Sequence, residues 1–262
     1  MLGQTHHRGS RMKRLLAALV LVLAASLPAS AGSLDVFAAA SLTNALADIK
    51  TGFEAVHPGD TVALEFAASG ALLERLGTGA ACDVFVSADP ETMTLALDRR
   101  RIDGATRKVV ALNELVLAVP AGNPAKVDNL DSLSRGGVRR VGVGNPESVP
   151  AGRYAKRALQ QRALWFALTS KLVYYPSVRH VLAALAKGEI DAGFVYATDA
   201  ASAGKAVAVA ATVPLPSPVT YVAAVAAKAA DPKLAAAFIG YLASPEGLAT
   251  LGRYGFAPPP QQ

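Results

Sequence analysis

Few residues in this 262-residue chain are of a type that could do covalent chemistry. Beyond residue 31 the histidines are His57 and His180, and the one cysteine is Cys82. No HxxxH, CxxC or carboxylate cluster offers metal-ligand spacing. What recurs instead is a small, uncharged residue where an apolar strand-like run turns into a helical one. In Val36-Phe37-Ala38-Ala39-Ala40-Ser41-Leu42-Thr43-Asn44 the turn carries Ser41. Ala67-Ala68-Ser69-Gly70 repeats the arrangement, Pro150-Ala151-Gly152 and Ser177-Val178 open two later helices, and one strand-like run ends on Tyr196. A helix start leaves amides without intrahelical partners and carries about half a positive charge. Four such starts, at Ser41, Ser69, Ala151 and Val178, with the Tyr196 phenol, would form a donor-rich site without a charged group. Such a site suits a fully deprotonated oxyanion and disfavours an anion that keeps a proton, because that proton needs an acceptor. Taken alone, the Ser41 junction also reads as a plain stabilising cap.

The elements that must position these residues follow from periodicity. Residues 33–38 read as a buried strand, and Leu42, Ala45, Leu46, Ile49 and Phe53 share one helical face, with Ser41 as its N-cap. Further strands are expected at 61–66, 82–89, 114–120, 138–143, 172–175, 189–196 and 219–226. Helices are expected at 71–76, 90–98, 153–164, 178–187, 232–242 and 245–254, with Ser177 capping the helix at Val178 and Gly188 ending it. Ala151 and Gly152 are read as small residues that let something approach their amides. Strands alternating with helices imply an α/β fold with mostly parallel sheets, whose ligands sit at the carboxyl ends of the strands. The apolar runs at 114–120 and 219–226 read as two crossings between lobes: 32–113 with 217–262 form lobe I, and 114–216 form lobe II.

Bulk composition narrows the class. An apolar content of 52% with 18% charged residues excludes a disordered chain. Arg8, Arg11, Lys13 and Arg14 precede the apolar run Leu15–Ala25 and the small residues Ala29-Ser30-Ala31. Residues 1–31 therefore read as a secretory signal peptide, the run being short for a bilayer span. The leader holds four basic and no acidic residues, so its removal takes the formal net charge from +6 to +2. No basic stripe with interleaved aromatics remains, and nucleic acid is not an expected partner. Cys82 cannot form an intrachain disulfide and reads as a small buried apolar residue. No cysteine stands at the cleavage site, so a soluble, periplasmic protein without a lipid anchor is expected. His57 falls in a Gly/Pro-flanked loop, and Trp165 and the phenylalanines read as core. Arg179 reads either as a solvated first-turn charge or as a source of long-range attraction. His180 with a nearby serine is the one arrangement from which an exported hydrolase could be built, but no triad or strained nucleophile turn accompanies it.

Several stretches, in order and at comparable spacing, resemble the periplasmic molybdate-binding proteins of bacterial ABC transporters, a branch of the type II periplasmic binding proteins. They are Phe37 to Asn44, Asp83-Val84-Phe85-Val86-Ser87-Ala88-Asp89, Pro146 to Lys156, Ser177-Val178-Arg179, Gly193-Phe194-Val195-Tyr196 and Arg253-Tyr254-Gly255-Phe256. The resemblance implies a two-lobed clamp with a two-crossing hinge. It further implies that Ser41 and Ser69 contact the ligand through hydroxyl and amide, Ala151 and Val178 through amides, and Tyr196 through its phenol. Molybdenum would then enter only as the oxyanion, without direct metal ligands. It also implies a monomeric receptor that needs no cofactor, performs no chemistry and hands molybdate, or the nearly isosteric tungstate, to a membrane permease. Alternatives are another tetrahedral oxyanion such as sulfate, or the hydrolase. The family commonly has several serines around the second contact, where this chain has Ala68-Ser69-Gly70.

Overall fold

The computed structural model describes residues 32–260; the leader reading of residues 1–31 lies outside the described residues. In chain order the first part runs β1 (Ser33–Ala39), α1 (Thr43–Val56), β2 (Thr61–Ala67), α2 (Ser69–Gly77), β3 (Val84–Ser87), α3 (Pro90–Asp98) and β4 (Lys108–Asn113). The second part runs β5 (Leu115–Pro120), β6 (Val141–Gly144), α4 (Pro150–Gln161), β7 (Leu172–Tyr175), α5 (Val178–Ala186), β8 (Ala192–Tyr196), α6 (Ala197–Ser202) and β9 (Val207–Thr212). The chain closes with β10 (Val219–Val225), α7 (Pro232–Leu242) and α8 (Pro245–Arg253).

Two five-stranded sheets result, ordered β2-β1-β3-β10-β4 and β7-β6-β8-β5-β9. In each, the first three strands pair in parallel, with registers such as Val36 opposite Val84 and Val141 opposite Leu172. The other two pairings are antiparallel. Four strands of each sheet thus run in one direction, and β10 in the first and β5 in the second run against them. The reason lies in the crossings: β5 and β10 each enter a sheet from the other lobe and so run against its parallel strands. Strands β4 and β9, which the periodicity did not reveal, are the edges on which β10 and β5 are laid.

The parallel strands read as continuous apolar runs because helices cover them on both faces. Helix α1 lays Ala45, Leu46, Ile49 and Phe53 on the sheet, and all four are buried. Helix α5 buries Val181, Leu182 and Leu185 and ends at Gly188, whose φ of +67° is the left-handed turn a helix C-terminus favours. Trp165 is buried as expected, but Phe166 is 82% exposed, a correction to its reading as core. It lies in the turn after α4, and the ring points to solvent.

Helix α4 begins at Pro150, three residues earlier than periodicity suggests, because proline at the first helical position needs no amide partner. Gly152 thus falls inside the first turn. A Cβ there would meet the Gly144 carbonyl oxygen at 1.8 Å, so what approaches closely is the protein's own strand β6. Helix propensity alone favours alanine over glycine by about 1 kcal/mol. We expect Gly152→Ala instead to destabilise by about 1–3 kcal/mol through overpacking, a fall in thermal midpoint of several degrees; a raised midpoint would show that α4 can lift off β6 freely.

Candidate functional site

All three parallel strands of each sheet direct their carboxyl ends at one small cavity. Ser41 and Ser69 line it from lobe I, among alanines, and Val149, Pro150, Ser177, Val178 and Tyr196 line it from lobe II. The cavity between these walls has a volume of about 10 Å³, far below the roughly 300–1,000 Å³ of sites for organic ligands, which limits the occupant to a few atoms. No charged side chain is among the described lining residues.

Of the five residues expected at the site, Ser41, Ser69, Val178 and Tyr196 come together on its wall. Ala151 is buried one residue behind Pro150, where its N–H is one of the amides a helix start leaves free. Val178 opens α5; the Ser177 carbonyl accepts from the amides of His180 and Val181, which leaves those of Val178 and Arg179 unused by the helix. Ser69 is the first residue of α2, not its cap, and its Oγ accepts the Ala88 N–H at 3.0 Å, so its own proton remains available. Ser41 is likewise no N-cap: residues Ala40–Leu42 form a 3-10 turn, and α1 starts at Thr43 without a side-chain cap.

The Ser41 hydroxyl instead lies 2.8 Å from the Tyr221 hydroxyl. The Asn113 amide donates to Thr198 Oγ1 at 2.9 Å and to Tyr221 Oη at 3.4 Å. With Asn113 donating to the Tyr221 oxygen, the Tyr221 proton is free to go to Ser41, and in that arrangement Ser41 donates into the cavity. This relay was not found from sequence. Its signal was Tyr221 itself, a hydroxyl within an apolar strand. Tyr196 completes the set: it is 1% exposed, and its hydroxyl is buried without a hydrogen-bond partner among the described residues. Burial first, then the neighbouring Tyr221, Tyr154 and acidic groups, pushes this phenol well above its ordinary pKa, so it stays a neutral donor.

Two arginines of lobe II reach across the cleft. Arg153 donates to Asp89 from Nε at 3.0 Å and from Nη2 at 2.7 Å, with Asp89 itself buried. Arg179 donates from Nη2 to the Ser41 carbonyl at 3.2 Å, and its Nε stands 2.8 Å from Oδ1 of fully buried Asp199, in a contact that departs from straight hydrogen-bond alignment. Arg179 is therefore neither fully solvated nor a free counter-charge. The lobes also meet at Gly70, whose N–H donates to the Ser148 carbonyl at 2.9 Å, and a Cβ on Gly70 would come within 2.6 Å of that oxygen.

His57 stacks on Phe53 at 4.1 Å, away from the cavity. His180 is exposed, and its Nδ1 lies 2.8 Å from Ser177 Oγ within one helical turn; no carboxylate joins this pair in a triad among the described residues. Cys82 is buried, and desolvation pushes its thiol up to about 12.

Comparison with known proteins matches residues 34–257 to the family model described as bacterial extracellular solute-binding protein. The chain is 41% identical over 248 residues to the molybdate-binding protein ModA of Escherichia coli (strain K12), covering 92% of this chain and 95% of that protein. Among solved structures, the substrate-binding domain of a putative molybdenum ABC transporter from Clostridium difficile is 30% identical, with a TM-score of 0.66 over 87% of this chain and 100% of its own. The periplasmic molybdate-binding protein of Azotobacter vinelandii superposes with a TM-score of 0.74 over 86% of this chain and 99% of its own. At 24% identity that likeness speaks for the fold alone.

The buried carboxyl of Asp199 yields a pH test. Burial raises its pKa from 3.8 to about 6, opposed by Arg179 and by the Tyr196 amide. An acid whose folded pKa lies above its unfolded one binds protons more tightly when folded. Its contribution to stability is thus full at low pH and is lost as pH rises through about 6. Relative to Asp199→Asn, the protein should lose about 2 kcal/mol of unfolding free energy between pH 4 and pH 7. A difference profile that is flat or rises with pH would mean that Arg179 outweighs burial.

Proposed function

Because the chain belongs to the bacterial extracellular solute-binding protein family, we propose that it is a receptor that captures molybdate between its lobes and delivers it to the membrane permease of an ABC transporter. Tungstate, of nearly the same size and charge, would bind as well. In this reading residues 1–31 are a cleaved leader, the mature protein is a periplasmic monomer without a lipid anchor, 32–113 with 217–262 form lobe I and 114–216 form lobe II. It binds without chemistry and needs no cofactor.

The observation that carries this reading is the Tyr196 hydroxyl, buried without a partner among the described residues on the wall of a small cavity whose described lining is uncharged. Leaving such a donor unmet costs about 1–3 kcal/mol. An oxyanion recovers that cost by accepting from Tyr196, from Ser41 and Ser69, and from the amides of Val178 and Ala151. No carboxylate among the described lining residues offers an acceptor for the proton that phosphate retains near neutral pH. Sulfate is a dianion too, but its bonds to oxygen are shorter, so it would meet the same donors at different distances from molybdate. Because donors come from both lobes, the ion favours the state in which the lobes meet, which a permease can recognise.

Thermal unfolding in equal concentrations of molybdate, tungstate, sulfate and phosphate tests the reading. Ligand at about a hundred times its Kd adds about 2.7 kcal/mol, so molybdate and tungstate should raise the midpoint and the other two should not. Calorimetry on a Ser41→Ala/Tyr196→Phe double variant should give at least tenfold weaker molybdate binding. Equal affinity in the variant, or a shift with sulfate instead, would contradict the assignment; turnover of a chromogenic ester lost in Ser177→Ala would revive the hydrolase.

A further inference from the structure

We infer that Arg179, carried by Asp199, is a cross-cleft latch: a positioning residue that ties Ser41 on one lobe to the turn bearing Tyr196 on the other, and so sets how long the cleft stays shut. The inference rests on the reading that the cleft closes around molybdate, and adds to it a residue that does not touch the ion.

The path is continuous. Nη2 of Arg179 donates to the Ser41 carbonyl at 3.2 Å, its Nε faces Asp199 Oδ1 at 2.8 Å, and Asp199 Oδ2 accepts the Tyr196 N–H at 3.3 Å. Ser202 Oγ accepts from Nη1 at 3.4 Å and steadies the other arm of the guanidinium. Arg179, Asp199, Ser202 and Tyr196 all belong to lobe II, whereas Ser41 follows β1 in lobe I. The contact at Ser41 therefore exists only while the lobes meet. A carbonyl 3.2 Å from a guanidinium needs that group held in one orientation, and the fully buried Asp199 stands against its Nε at 2.8 Å.

Charge explains why an arginine can serve here without becoming a counter-ion. Its positive charge is matched by the fully buried Asp199 carboxylate, so the cleft keeps the neutral, donor-only character of its wall. A lysine would carry the same charge but lacks the planar fork that meets Asp199 and Ser41 at once.

Breaking the latch should act mainly on release. Association is governed by encounter with the open cleft, whereas dissociation requires reopening, and a contact present only in the closed state adds to that barrier alone. Removing Arg179 by itself would strand the buried Asp199 carboxylate, so the decisive variant is Arg179→Met/Asp199→Asn. Stopped-flow release of molybdate from this variant should be at least tenfold faster than from the wild type, with association changed by less than about threefold and Kd raised in proportion. Arg179→Lys should fall between the two.

Release at the wild-type rate in the double variant would overturn the latch, whatever the variant's thermal midpoint, because a purely structural pair alters stability without altering release. Should the double variant not fold, Arg179→Lys decides in the same way: faster release supports the latch and unchanged release overturns it. Wild-type protein that binds neither molybdate nor tungstate would instead remove the proposed function, and the latch with it.

Discussion

A site that holds an anion without a counter-charge must draw many neutral donors from separate parts of the chain to one point. Most features of this molecule follow from that constraint. Helix starts are the densest source of unpaired amides, and parallel βα units place every helix start on the same edge of a sheet. One sheet presents Ser41 after β1 and Ser69 after β2; the other presents Val149 and Pro150 after β6, Ser177 and Val178 after β7, and Tyr196 at the end of β8. Bringing the two edges face to face requires two crossings, and these lay β5 and β10 antiparallel into the opposite sheets.

Hydroxyls at such a point must be held without being used up. Tyr221 does this for Ser41, and is itself packed edge-on against Phe256 at 5.3 Å and against Tyr196 at 6.0 Å. Phe256 is anchored by the pairing of Leu112 with Ala257, so the far C-terminal stretch braces a residue near the start of the described chain. Ser69 is turned by the Ala88 amide, and Tyr196 is fixed by burial and by the Asp199 carboxylate at its own N–H. Charged groups stand one layer back. Arg153 is spent on Asp89, Arg179 on Asp199.

The two-lobed α/β fold was legible because its informative parts are local. The switch from strand to helical periodicity, proline at helix starts and Gly188 at a helix end are short-range signals, and they located α3, α7 and β7 closely. Edge strands β4 and β9 escaped because they are partly exposed and show no clean alternation. The junction serines were found by type; Ser177 does stand at the N-cap position of α5, but the cap role of Ser41 was wrong, since it bonds Tyr221, 180 residues away. Phe166 was misread for the opposite reason: hydrophobicity does not reveal that a turn leaves a ring with nothing above it. Arg179 stood between a solvated first-turn charge and a source of long-range attraction, and Asp199 did not stand out, since only the folded cleft brings the Ser41 carbonyl to the guanidinium.

The central claim is positional: one molybdate accepts from both lobes at the meeting point of these donors. A crystal grown with molybdate and measured on either side of the molybdenum absorption edge tests it most directly. The account predicts a single strong anomalous peak enclosed by Ser41, Ser69, Ala151, Val178 and Tyr196, with an oxygen in hydrogen-bonding reach of the Tyr196 hydroxyl. A peak elsewhere, or none in that cleft at saturating molybdate, would contradict it.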